Sequence, residues 1–206
     1  MPSTISNNRP AEEEDDDKPG MSWERRLSTW LFYDLTGWTN IVDQSMPKKF
    51  VACLAPHTSN WDFFYGMLYS WAEGYTCHFL MKKEWFFWPV GVFMRHIGGI
   101  PVDRDKHTNL TDQLAAIAEE STYFRLCITP EGTRSANPDW KLGFYYIALK
   151  ARLPILLFGL DYAKKAVICT KTIIPNGDAE GQLREIKLYY KDFKGKHPEN
   201  FDIGDV

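Results

Sequence analysis

From Ser22 onward, Trp23, Leu27, Trp30, Leu31, Leu35 and Trp38 recur at helical spacing. The pattern predicts one amphipathic helix over 22–38 with Ser22 as its N-cap. Three Trp on one stripe fit either core packing or an interfacial anchor, and Arg25 and Arg26 lie beside the stripe where lipid phosphates could meet them. Beyond it, short β-like and helix-like runs alternate. Strands are predicted at Phe50–Ala55, Tyr75–Met81, Ile100–Val102, Arg125–Thr129, Pro154–Leu160 and Ala166–Ile174. Helices are predicted at Asp62–Ala72, Leu110–Glu120 and Leu142–Ala151, and Leu183, Ile186, Tyr190 and Phe193 are spaced as a last one. Glu84–Arg95 is very apolar and contains Trp85-Phe86-Phe87-Trp88-Pro89. Such alternation predicts an α/β single domain, with a mostly parallel or mixed sheet covered by helices. Ligands of such sheets gather beyond the strand ends.

The 206 residues suit one domain, here expected over 21–206. Residues 1–20 carry Pro, Asn and Ser and the acidic run Glu12 to Asp17, and they read as a disordered acidic tail. The net charge of −3 leaves no nucleic-acid footprint. With that acidic run set aside the remainder is close to slightly positive and can approach anionic lipid. Aromatics at 15% suit a membrane interface as well as a core. Cys53, Cys77, Cys127 and Cys169 lack metal-like spacing and read as buried free thiols. The polar, acidic N-terminus does not read as a signal peptide, and no apolar run reaches the ~18 residues of a membrane span. The expectation is a cytoplasmic protein bound peripherally to the inner face of the membrane.

Ala55-Pro56-His57-Thr58-Ser59-Asn60-Trp61-Asp62 follows the first predicted strand. Five positions along a helix would leave His57 and Asp62 on different faces. The pair therefore works only with His57 on the turn and Asp62 in the first helical turn. Pro56 breaks the strand and Ser59 or Asn60 can cap the helix, which permits that arrangement. A carboxylate behind an imidazole makes a general base. A second match, His107 to Asp112, follows no strand end and reads as an ordinary helix entry.

Other blocks accompany the pair. They are Gly98-Gly99-Ile100-Pro101-Val102-Asp103-Arg104, Pro130-Glu131-Gly132-Thr133-Arg134-Ser135 and Leu153-Pro154-Ile155. In this order, over roughly residues 50–160, the chain resembles the glycerophospholipid acyltransferase family, which includes bacterial 1-acyl-glycerol-3-phosphate acyltransferase. His57 to Asp62 matches the family's His-x4-Asp motif, and Pro130 to Ser135 is a full match to its Pro-Glu-Gly-Thr-Arg-Ser block. Two positions depart: Pro101 stands where the family has an aromatic residue, and the fourth block lacks a second proline, with Leu157 near that place.

The resemblance implies the glycerol-phosphate acyltransferase fold and transfer of a fatty acyl group from acyl-CoA or acyl-ACP to a hydroxyl of a lysophospholipid-like acceptor. It implies His57 and Asp62 as the catalytic pair, Arg104 and Arg134 on the acceptor's phosphate, and Glu131, Gly132 and Thr133 in the acceptor site. Lys141 extends the cationic pocket. No cofactor or metal is implied. The acceptor's oxygen is expected to attack the thioester directly, with backbone amides at the helix start after His57 stabilising the oxyanion. Two other readings use the same residues: a thioester hydrolase, in which His57 activates water, and a non-catalytic lipid-binding protein.

Overall fold

The computed structural model describes residues 22–42, 46–102 and 110–206. The tail expected over 1–20, Arg104 and His107 lie outside the described residues. In chain order the elements are helix α1 (Trp23–Thr29), strands β1 (Thr39–Val42) and β2 (Lys49–Leu54), helix α2 (Asn60–Ala72), β3 (His78–Lys82), α3 (Val90–His96) and β4 (Gly99–Val102). Then come α4 (Leu110–Glu120), β5 (Phe124–Ile128), α5 (Gly143–Ala151), β6 (Ile155–Asp161), β7 (Ala166–Cys169), β8 (Thr172–Ile173) and α6 (Ala179–Tyr190).

The strands form one sheet in the order β1-β7-β6-β2-β5-β3-β4, with β8 also on β6. All neighbours are parallel except β6 with β7 and β6 with β8. The α/β class expected from alternation is thus the fold, with an antiparallel return on one side of β6. Phe50, Val51, Ala52 and Cys53 of β2 are all buried, as a strand covered on both faces requires. Val51 and Cys53 pack with Leu114 of α4, Phe144 of α5 and Ile186 of α6. Phe50 and Ala52 turn to the other face, where Leu68 and Tyr69 of α2 meet Phe32 and Trp38.

Four expectations need correction. The helix expected over 22–38 is α1 followed by a π-helical stretch, Trp30–Leu35, and it ends before Trp38. The wider turn shifts the buried register. Phe32, off the predicted stripe, is fully buried, while Trp23, Leu27, Trp30 and Leu35 are exposed. Most of that stripe therefore meets solvent, although Leu31 packs partly buried against the Phe32 cluster. Trp38 alone is buried, stacked on Tyr65 with ring centroids 4.6 Å apart. The strand expected over Ala166–Ile174 is two strands, β7 and β8. β6 pairs Gly159 with Ile168 but Leu156 with Thr172, so one extra residue bulges out. The amide of Thr170 there donates to the Tyr189 hydroxyl at 3.2 Å. Helix α3 takes up the second half of the apolar segment 84–95 and ends one residue beyond it at His96, and the segment's lack of periodicity hid it. The last helix stops at Tyr190, before Phe193.

Candidate active site

Three adjacent parallel strands, β5, β2 and β6, end at the same edge of the sheet. Their C-terminal ends deliver Glu131, the His57 turn and Tyr162. After β2 the chain turns through Pro56, and Ser59 caps α2 by accepting from the Trp61 amide at 3.2 Å. Asp62 is then the third helical residue and completes a capping box with Ser59. One oxygen, Oδ2, accepts from the amides of Thr58 at 2.7 Å and Ser59 at 2.8 Å. The same oxygen lies 3.3 Å from His57 Nδ1. The other, Oδ1, accepts from the Tyr162 hydroxyl at 2.7 Å. So His57 sits on the turn and Asp62 reaches back from the first helical turn, as the spacing requires.

Asp62 is fully buried, whereas a fifth of the His57 side chain is exposed. His57 Nδ1 is buried, and the contact with Asp62 is an ion-pair distance rather than an aligned hydrogen bond. A proton arriving on the ring would strengthen that contact. Burial pushes the Asp62 carboxyl up, but the His57 contact and the hydrogen bonds from Tyr162, Ser59 and Thr58 outweigh it and hold the group below its ordinary value. A charged, fixed carboxylate behind an imidazole leaves the ring's other nitrogen to meet a substrate.

Glu131 follows β5 in a turn that Gly132 closes at φ +67°, a conformation suited to glycine. The turn is braced by Lys141, whose amide donates to the Pro130 carbonyl at 2.7 Å, and by Asn137, whose side chain donates to the Glu131 carbonyl at 2.8 Å. Both Glu131 oxygens accept from the His57 amide at 3.0 Å. Its carboxylate therefore holds the backbone of the histidine turn. Burial pushes Glu131 up to about 8, with the Asp62 charge adding and the His57 amide opposing.

A carboxyl raised by folding binds its proton more tightly in the folded protein. Stability from this group falls as pH rises from the ordinary carboxylate range to about 8. Asp62 does not offset this, because its contribution is lost only as pH falls through its lowered folded pKa. In melts between pH 5 and 8, Glu131→Gln should remove that slope, which is at most about 1.4 kcal/mol per pH unit for one proton. An undiminished slope in the variant would contradict this account of Glu131.

Gly132, Thr133 and Arg134 lie on the exposed part of the turn, and Lys141 is exposed close by. A Cβ placed on Gly132 would stand 3.7 Å from Lys141 Cγ. Most of the amides expected to meet the oxyanion are already engaged within the protein. The amides of His57, Thr58 and Ser59 are taken by the Glu131 and Asp62 carboxylates, and those of Trp61 and Asp62 by Ser59. Sequence reasoning missed Tyr162. Its one signal is its position directly after a buried strand, on the far side of β2 from Glu131. Among the described residues, no group of three or more His, Cys, Asp and Glu could hold a metal ion, and the four cysteines form no disulfide. Beside Asp62, between α2 and the sheet, lies a narrow apolar pocket of about 100 Å³. Phe63 and Met67 of α2, Ala52 and Leu54 of β2, Phe79 of β3 and Phe158 of β6 help to line it.

No curated protein matches the chain. Among solved structures, the chain is similar to the 1-acyl-sn-glycerophosphate acyltransferase PlsC from Thermotoga maritima, with a TM-score of 0.56 and 19% identity. That match covers 82% of this chain and 73% of the other, and it shows a shared fold. The family model described as Acyltransferase matches residues 39–160, which include the ends of β2 and β5 with His57, Asp62 and Glu131 and stop one residue short of the end of β6. The chain belongs to the acyltransferase family, and the protein is an acyltransferase.

Proposed function

We propose that the protein moves a fatty acyl group from acyl-CoA or acyl-ACP to a hydroxyl of a lysophospholipid-like acceptor, by default 1-acyl-glycerol-3-phosphate. The observation that carries this reading is the contact of His57 with a buried, charged Asp62 at the rim of an apolar pocket. His57 takes the proton of the acceptor hydroxyl, and the oxygen attacks the thioester carbonyl. The carbon–sulfur bond then breaks and the thiol carrier leaves with a proton from the imidazolium. Asp62 holds the ring and stabilises its charged form. The apolar pocket takes the acyl chain, and Arg134 with Lys141 and Arg104 receives the acceptor's phosphate. The acceptor class is supported by the structural neighbour, a 1-acyl-sn-glycerophosphate acyltransferase.

The reaction belongs at a membrane surface. Trp88 is 84% exposed and Trp23 71%, with Phe87, Phe93, Leu27 and Trp30 also open to solvent. Arg25 of α1, Trp71 of α2 and Phe93 and His96 of α3 line one groove, so α1 and α3 border a common opening. No helix of the described residues is long and apolar enough to cross a membrane, and peripheral contact through these rings suits that geometry. In vesicle flotation, Trp88→Asp should reduce the floated fraction while the melt stays unchanged. Unaltered flotation would remove this loop from the membrane contact.

The test of the reaction is transfer from a labelled acyl thioester to a panel of lysolipids on vesicles. A labelled diacyl product from one acceptor supports the reading and names the substrate. Free fatty acid with no lipid product would replace it with a thioester hydrolase. A stable acylated residue after incubation with donor alone would sink direct attack.

A further inference from the structure

After α6 the chain runs back over the histidine turn. The Phe193 ring covers Gly159 of β6 so closely that a Cβ there would collide with it. The Lys194 carbonyl accepts from the Tyr162 amide at 2.8 Å. Gly195 is pressed against the turn, where a Cβ would lie 2.7 Å from Thr58 Oγ1 and 3.2 Å from Pro56 Cβ. The His197 amide donates to the buried Thr58 Oγ1 at 3.2 Å. Residues 193–197 thus form a strap fixed at both partners of the catalytic pair: at Thr58, beside His57, and at Tyr162, which holds Asp62.

The strap's backbone is turned inward, and the side chains of Lys194, Lys196 and His197 are exposed. The Lys196 ammonium sits 4.5 Å from the centroid of the Trp61 ring, one residue before Asp62. Lys164 lies 6.0 Å from the Phe193 ring. The acids nearby are partly engaged: Glu199 lies 3.6 Å from His197 Nδ1, and buried Asp161 lies 3.3 Å from Lys164. Asp192, at the exit of α6, is exposed.

We infer that this strap is a cationic rim whose Lys194 and Lys196 bind a phosphate group of one of the two substrates at the mouth of the site. Ammonium groups on flexible stems suit a mobile phosphate, and their anchorage beside His57 and Asp62 places the charge where substrate enters. The inference rests on the acyl-transfer reading, in which the thioester carrier and the acceptor both carry phosphate.

The rim is tested by calorimetric titration of the wild type and the Lys194→Gln/Lys196→Gln variant with coenzyme A and, separately, with glycerol 3-phosphate. Loss of both exposed charges should weaken one of these probes about tenfold and reduce its salt dependence. Weakened coenzyme A binding assigns the rim to the thioester carrier, and weakened glycerol 3-phosphate binding assigns it to the acceptor. Lys150→Gln, on α5 and paired with Asp112, removes a charge elsewhere and should leave both titrations unchanged. Binding of neither probe to the wild type, or equal binding by the double variant, overturns the rim. The vesicle transfer assay, run beside it, judges the acyl-transfer reading separately. A protein that binds a probe through these lysines but transfers no acyl group keeps the rim and loses that reading.

Discussion

His57→Ala should lower kcat for acyl transfer by about a thousandfold to ten-thousandfold, with a much smaller change in the KM for either substrate. The acceptor hydroxyl is a weak nucleophile until a base takes its proton, and His57 is the partly exposed imidazole backed by a buried carboxylate. The fold should survive the change. The loop's backbone is fixed by Glu131 and Asp62 through amides that alanine also carries. Steady-state rates on vesicles, with a melt as the control for folding, decide the matter. Residual activity within tenfold of wild type would remove His57 from the chemistry.

The second large effect is expected from Asp62→Asn. The substitution keeps size and shape but discards the charge that steadies the imidazolium, and kcat should fall by about a hundredfold to ten-thousandfold. It also has a structural cost that His57→Ala lacks. Asp62 accepts from two amides on one oxygen and from the Tyr162 hydroxyl on the other. The amide nitrogen of Asn cannot face the Thr58 and Ser59 amides, so it must face Tyr162, whose hydroxyl then has to turn round and accept. Unfolding free energy should drop by about 1–3 kcal/mol, the cost of a buried polar group left poorly paired. A melt that shifts while kcat stays near wild type would make Asp62 a purely structural residue.

The sequence exposed those parts of the molecule that local chemistry dictates. Ser59 caps α2 and Pro56 turns the chain, so the placement of His57 against Asp62 could be read from eight consecutive residues. The strands β2 and β6 were legible because burial on both faces makes them continuous apolar runs. Contacts made across the sheet were not. Glu131 reads as a residue of the acceptor block, yet its carboxylate holds the His57 amide 74 positions away. Tyr162 reaches Asp62 across 100 positions, with no local pattern to mark it. The amphipathic stripe of α1 was visible as a stripe, but periodicity cannot say whether an apolar face meets protein or solvent. The π-helical stretch moved the inward position to Phe32.

The strap also has a consequence for the order in which the molecule is built. Thr58 meets His197 across 139 positions. The Tyr190 hydroxyl donates to the Cys53 carbonyl, 137 positions back at the end of β2, at 2.6 Å. Contacts so distant in sequence close late, because the loop entropy must be met before they give anything in return. During synthesis His57 and Asp62 emerge early, and their turn, though held by Asp62 and Glu131, lacks its strap until residues 190–197 have followed. The candidate site is therefore among the last parts of the domain to be finished, and a nascent chain holding both His57 and Asp62 still lacks the strap beside them.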